Sequence, residues 1–205
     1  DEDASSDPFL RLGRTTPVLR DMVDALEKAR DDERVTGLIA RMGAAPISMA
    51  QAQELRDAVE QFRSNKKFAV AFSETFGEFG PGNSAYYLAT AFDEIYLQPS
   101  GDVGLTGLRM EAMFLRGAFD KLGIVPRFDQ RYEYKNAMNA YTDKQMTPAF
   151  REAMDALVQS VYNQVVRGIA KGRKISEDQV KAAINQGPIL GAAALPLKLV
   201  DGVAY

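Results

Sequence analysis

Phe68-Ala69-Val70-Ala71-Phe72-Ser73 (FAVAFS) decides the fold. It is apolar at almost every position. Lys66-Lys67 precede it, and a loop rich in Gly and Phe, Glu74 to Asn83, follows. A strand wet on one face alternates apolar and polar residues. A short run without alternation reads as a strand buried on both faces, and such strands belong to parallel sheets. Val35 to Met42 (VTGLIARM) and Glu94 to Gln98 (EIYLQ, stopped by Pro99) read the same way on either side. Helical spacing separates the three. Val18 to Asp32 place Val18, Met22, Leu26 and Ala29 on one face, with Thr15 or Thr16 as cap and Pro17 at the first helical position. Ser48 is a good N-cap for a helix to Ser64 that turns Leu55, Val59 and Phe62 inward. Ser84 to Phe92 make a third helix. The order αβαβαβ implies an α/β fold: a mostly parallel sheet covered by helices, joined by right-handed crossovers.

Beyond the third strand, Gly101 to Gly107 (GDVGLTG) read as a turn, Ala112 to Leu122 as a helix and Val125 to Gln130 as a fourth strand. Sites in such sheets form at the carboxyl ends of strands. Four loops meet that description: Gly43 to Ile47, Glu74 to Asn83, Pro99 to Gly107 and Arg131 to Asn136. From Thr147 the character changes. Thr147-Pro148 start a long helix to about Lys171, striped by Phe150, Met154, Leu157, Val158, Val161 and Val165. This stripe reads as core or subunit contact. Ser176 caps a helix over Glu177 to Asn185, Gly187 to Leu190 are extended, and Gly191 to Lys198 form a last helix. The expected organisation is a loose lead-in over residues 1–16, an α/β core domain over 17–146, and a helical extension of the same folding unit over 147–205.

Composition narrows the function. The 205 residues carry a net charge of −3 and no cluster of Lys or Arg, so nucleic acid is not an expected partner. No apolar run approaches the ~20 residues of a membrane span. The chain begins at Asp1 without Met and ends soon after Val200-Asp201-Gly202-Val203. Both ends read as cut, and a membrane anchor would lie outside them.

The chain has no His and no Cys. A Ser-His-Asp triad, a Cys-His pair and the usual His/Cys zinc sites are excluded within it. Acid–base chemistry near neutral pH then falls to a carboxylate of raised pKa or a lysine of lowered pKa. Lys135 is the candidate base, set in Arg131-Tyr132-Glu133-Tyr134-Lys135-Asn136-Ala137-Met138 among aromatic and apolar neighbours. The plainer reading of these residues is a solvated lysine. Ser84 opens a helix after a glycine-rich loop, where a nucleophile or an N-cap fits equally. Gly101 to Gly107 lack the Lys-Ser/Thr of a phosphate loop and read as a tight turn. Asp93-Glu94 and Asp31-Asp32-Glu33 read as solvated turn acids. No metal or cofactor is expected.

Longer segments carry a resemblance. These are LRDMVDALEKARDDERVTGLIARM from Leu19, NSAYYLATAFDEIYLQPSGDVGLTGL from Asn83, RYEYKNAM from Arg131, MTPAFREAMDAL from Met146, and LVDG from Leu199. In this order and spacing the chain resembles the signal peptide peptidase A (protease IV) family of the crotonase/Clp-protease superfamily. The resemblance implies that fold and a Ser/Lys dyad. It puts the family's lysine on Lys135. It puts the nucleophile position on Asn83, with Ser84 one residue late and Ser84-Ala85 where two glycines are expected. The oxyanion loop becomes Arg41-Met42-Gly43-Ala44-Ala45-Pro46, with one Gly and a Pro. The serine that helps position the lysine becomes Leu105.

These departures agree with one another. Long forms of the family hold two halves in tandem, the amino-terminal half supplying the lysine and the carboxyl-terminal half the serine. The chain is expected to be an amino-terminal half, with the general base Lys135 and no nucleophile. The implied partners are the carboxyl-terminal half, further copies of the chain, and signal-peptide substrates. The implied place is the bacterial inner membrane, facing the periplasm, anchored by a segment outside this chain. Phe76, Phe79, Tyr86, Met110 and Met113 are candidates to line an apolar substrate groove, and each fits a core role as well. Two other readings stand beside this one: a catalytically inactive scaffold or oligomerisation domain, and an acyl-CoA enzyme of the wider superfamily.

Overall fold

The computed structural model describes residues 18–43, 47–78 and 80–205. Two compact units emerge. One comprises Asp1–Thr106 with Val165–Tyr205, the other Gly107–Gln164. In chain order the elements are α1 (Leu19–Asp31), β1 (Gly37–Met42), α2 (Met49–Ser64), β2 (Phe68–Ser73), α3 (Asn83–Ala89), β3 (Glu94–Leu97), β4 (Asp102–Val103), α4 (Arg116–Lys121), a 3-10 turn (Asn136–Met138), α5 (Asn139–Thr142), α6 (Pro148–Arg173), α7 (Glu177–Gln186), β5 (Ile189–Leu190), α8 (Gly191–Ala194) and β6 (Gly202–Val203).

The first unit is built on a parallel sheet of order β1-β2-β3-β6. In β2, Ala69, Ala71 and Ser73 are buried while Val70 and Phe72 are half-buried, so neither face is fully wet. Ile95 and Leu97 of β3 are wholly buried. The edge strand β1 differs: Ile39 is 76% exposed, and its apolar character does not translate into cover on both faces in this chain. Ser48 caps α2 as expected, closing a reciprocal capping box with Gln51 that satisfies two end-of-helix donors. Val59 and Phe62 of α2 and Tyr86 and Leu88 of α3 then join the core, each contributing roughly 1.5–3 kcal/mol by leaving water. α1 starts at Leu19 with Val18 at its N-cap. Thr15 to Pro17, expected to cap it, lie outside the described residues, as does the rest of the lead-in.

A buried cation ties the helices of this unit together. Arg56 of α2 is 4% exposed. Its Nη1 donates to Tyr87 O at 2.5 Å and to Thr90 Oγ1 at 2.6 Å, and its Nη2 to Gly168 O at 3.1 Å. The guanidinium also lies 4.6 Å from the Tyr87 ring centroid. A buried charge is tolerated only when its donors are met and its charge offset. Glu60 supplies the counter-charge at 3.3 Å.

Two aspartates repeat one device in the sheet. Asp93 precedes β3, donates its backbone N–H to Ala69 O and accepts Ala69 N–H on its carboxylate, both at 2.8 Å. Asp201 precedes β6, donates its N–H to Ile95 O at 2.8 Å and accepts Ile95 N–H at 2.7 Å. Each carboxylate is also gripped by an arginine, Arg63 for Asp93 and Arg173 for Asp201. Asp93 is therefore a strand-pairing residue, not the solvated turn acid its sequence context suggests. The pairing that opens at Asp201 makes β6 the fourth strand of the sheet.

In the second unit Val125 to Gln130 form no strand, against expectation. Pro126 removes a ladder donor from the run, and Val125 and Phe128 stay exposed, at 68% and 55%. The helix expected over Ala112 to Leu122 is confined to α4. Rings stack across the unit, with Tyr141 parallel to both Phe119 and Phe128 at centroid distances of 6.4 and 5.4 Å. Among the described residues of Gly107–Gln164, no large hydrophobic side chain is fully buried. The apolar stripe of α6 is buried only near its carboxyl end, at Val165, Val166 and Ile169, which belong to the first unit.

Candidate active site

The loops at the carboxyl ends of β2 and β3 lie backbone to backbone. Phe76 N–H donates to Asp102 O at 2.8 Å, Gly104 N–H to Phe76 O at 3.2 Å, and Gly82 N–H to Gly104 O at 3.0 Å. Gly82 is required here: a Cβ on it would stand 1.2 Å from Phe76 O. Gly104 is confined similarly, 2.7 Å from Gly77 Cα. Gly101 and Gly104 thus serve close backbone approach, but the segment is not the tight turn expected: Asp102–Val103 form β4, paired antiparallel with β5.

This stacking delivers the start of α3. Asn83 is its first residue and is 5% exposed. A carboxamide has no ionisable proton for a base to remove, so position 83 carries no nucleophile. Ser84 follows, half-buried. Ser73 ends β2, and its hydroxyl donates to Thr75 O at 2.6 Å. That bond turns the Ser73 hydroxyl to the main chain. Leu105 is wholly buried and offers no hydroxyl. Gly43 directly follows β1, whereas Ala44, Ala45 and Pro46 of the expected oxyanion loop lie outside the described residues.

A cavity of about 360 Å³ opens at the carboxyl end of β1, between Leu19 and Met22 of α1, Met42, Leu55 of α2, and Ala85 and Leu88 of α3. Its lining is largely apolar, and Arg41, ion-paired to Glu74, stands at its rim. Sequence reasoning missed it because its walls come from four separate elements. Of the residues expected to line a groove, Phe76 and Tyr86 are core instead. They are 2% and 0% exposed and pack edge to face at 5.4 Å. The Tyr86 hydroxyl donates to Leu199 O at 2.5 Å, and burial pushes its pKa well above the ordinary phenol range. Phe79 lies outside the described residues. Met110 and Met113, in the second unit, are 45% and 75% exposed and remain available.

Lys135 belongs to the second unit. It is exposed and stands at the N-cap of the 3-10 turn. Tyr132 has φ +64°, and Lys135 N–H donates back to Tyr132 O at 3.2 Å, closing a turn over 132–135. An extended loop would have put Glu133 and Lys135 on one face. The turn removes that alternation, and among the described residues Lys135 makes no ion pair. Tyr134 donates its hydroxyl to Glu152 Oε2 of α6 at 2.9 Å, and that bond together with the carboxylate charge raises the phenol above its ordinary value. The carbonyl of Lys135 accepts from Gln130 Nε2 at 3.2 Å. The segment is thus held by backbone and neighbours while Lys135 stays exposed.

Among the described residues, no His/Cys/Asp/Glu group is arranged to hold a metal ion, and no helix is long and apolar enough to cross a membrane. The parallel sheet with its flanking helices is a Clp-protease-like α/β fold. Residues 61–205 match the family described as Peptidase family S49, and the chain belongs to that family. It is 28% identical over 160 residues to a chloroplastic serine protease SPPA of Arabidopsis thaliana, a match covering 78% of this chain and 23% of that protein. It is 27% identical over 198 residues to Protease 4 of Salmonella typhi, covering 91% and 31%. With Protease 4 of Haemophilus influenzae the figures are 26% over 161 residues, 78% and 25%. The resemblance to signal peptide peptidase A read from the residues is thereby upheld. The chain spans about a quarter to a third of the length of these relatives.

Proposed function

We propose that this chain acts as the amino-terminal half of a Ser/Lys endopeptidase that degrades cleaved signal peptides. Lys135 serves as general base, and a carboxyl-terminal half outside this chain supplies the serine. The observation that supports the reading is an exposed lysine amine in a chain whose position 83 offers no nucleophile. Asn83 fills the position where the resemblance puts a nucleophile, while Lys135 stands exposed on its turn and, among the described residues, makes no ion pair. The amine would take the proton of the serine hydroxyl as the oxygen attacks the peptide carbonyl, and return it to the leaving nitrogen. Docking of the second half would bury the amine, and burial favours its neutral form. The second unit, without a buried apolar core of its own, suits a surface completed by the other half or by further copies of the chain. The enzyme would work at the bacterial inner membrane on the periplasmic side, held by a segment outside this chain.

The purified chain alone is expected not to cleave a signal-peptide-like substrate, and to do so when joined by a serine-bearing carboxyl-terminal half. Cleavage by the chain alone, abolished by Ser84→Ala, would make Ser84 the nucleophile. A combined protein with no activity leaves the scaffold reading. Sedimentation of the chain as a strict monomer that ignores the other half counts against the partners proposed.

A further inference from the structure

Two buried acceptors lie unused directly after Lys135. Asn139 is 2% exposed, and its Nδ2 donates to Thr147 Oγ1 at 3.3 Å, which fixes the amide plane. Its Oδ1 is buried and has no hydrogen-bond partner. The same is true of Asn136 Oδ1. A buried carbonyl oxygen left unpaired is costly, and native structures rarely keep one without a reason. Residues three apart on a helical turn are neighbours, so 136 and 139 share a face. Lys135 stands at the N-cap of that same turn. Lys135 directly precedes Asn136 and stands four residues before Asn139, and its flexible four-carbon stem lets the amine be redirected on assembly.

The geometry points to Asn139, seconded by Asn136, as a positioning residue whose side-chain oxygen accepts N–H from the Lys135 amine in the assembled site. The inference rests on Lys135 being the base. The chemistry explains why amides suit the task. A neutral amine has one lone pair and two N–H bonds. For the lone pair to face the serine hydroxyl, both N–H bonds must point at acceptors. Uncharged amide oxygens provide them. A carboxylate in their place would hold the amine as ammonium. When the hydroxyl proton moves to Nζ, the serine oxygen bonds to the substrate carbonyl carbon. The resulting ammonium keeps its two amide contacts and carries the transferred proton toward the leaving nitrogen. Charged groups on this segment and the elements next to it include Arg131 and Glu133, Asp143 and Lys144 beyond α5, Arg116 and Asp120 of α4, which packs on α5, and Arg151 and Glu152 on the first turns of α6. Glu152 is engaged by Tyr134, and Lys144 by Asp120.

The test uses the active full-length enzyme and a signal-peptide-like substrate. Asn139→Leu keeps the volume and removes the acceptor. It is expected to lower kcat by roughly 10- to 100-fold with KM changed less than about twofold. Asn139→Asp is expected to move the acidic limb of the kcat–pH profile upward by about one pH unit or more. Asn136→Leu, at a less buried position, should lower kcat in the same sense and guards against a folding defect at 139. Thermal unfolding of each variant provides the control. Folded variants with wild-type kcat and an unmoved pH profile overturn the inference, and the two oxygens then hold an ordered water. If Lys135→Arg instead retains activity, the base assignment itself falls, and that result is distinct from an unresponsive Asn139.

Discussion

Asp201→Ala removes the carboxylate that joins β6 to the sheet. Two losses can be read from the structure. Arg173, whose side chain is 6% exposed, loses the partner it meets at 2.7 and 3.0 Å. Ile95 N–H loses its acceptor at 2.7 Å. Arg173 keeps one bond, from Nε to Lys198 O at 2.8 Å. Breaking a buried ion pair costs about 3–5 kcal/mol. The Asp201 side chain is 35% exposed, so solvent screening moves the ionic part to the lower end. An unmet backbone donor adds about 1 kcal/mol, and the two losses overlap because one side chain makes both. The expected total is about 3 kcal/mol, measured by urea denaturation followed by circular dichroism. For a chain of this length that corresponds to a melting temperature lower by about 6–12 °C. Asp201→Asn keeps an oxygen for Ile95 and should cost about half as much. A double-mutant cycle with Arg173→Met should show coupling above about 1 kcal/mol. Loss below about 1 kcal/mol for Asp201→Ala, or no coupling to Arg173, would refute the role given to the VDG segment.

Two further outcomes are expected. Gly82→Ala should abolish soluble folded protein, because the new Cβ cannot coexist with Phe76 O at 1.2 Å, and expression with a circular dichroism spectrum checks it. Partial burial works against the Asp93 carboxylate, but Arg63 and the Ala69 N–H outweigh it and hold its pKa below the usual range. A depressed folded-state pKa contributes stability that is present above the unfolded value, about 3.9, and is lost as pH falls below it. Urea midpoints should therefore drop below about pH 4 in the wild type, and Asp93→Asn should flatten that drop while lowering stability at pH 7. Equal acid slopes in the two proteins would sink the assignment.

What the sequence reveals about this chain depends on how local the signal is. Ser48 and Ser176 could be read as caps because a capping box is complete within four residues, Ser48 with Gln51 and Ser176 with Gln179. FAVAFS was legible as a strand from end to end. β6 was not, since Gly202-Val203 is too short to show a period and pairs with β3 from far along the chain. Its signal was the aspartate before it, which repeats the position of Asp93 before β3. Val125 to Gln130 misled for the opposite reason: an apolar run was present, but a strand also needs a neighbour. Lys135 is the base proposed here, and its candidacy came from the absence of His and Cys and from the segments that carry the family resemblance. The turn that separates it from Glu133 depends on the positive φ of Tyr132, which nothing in RYEYKNAM signals. The buried oxygens of Asn136 and Asn139 were equally hidden, because burial there comes from packing within the second unit.

The central claim is that Lys135 is a base and not a surface charge. The most direct measurement is turnover of a signal-peptide-like substrate by Lys135→Arg in the full-length enzyme, with Lys135→Ala alongside and thermal unfolding as the control. A guanidinium stays protonated in a protein and cannot accept the serine proton. The account predicts folded variants that both lose several orders of magnitude in kcat. Near-normal turnover by Lys135→Arg would contradict it.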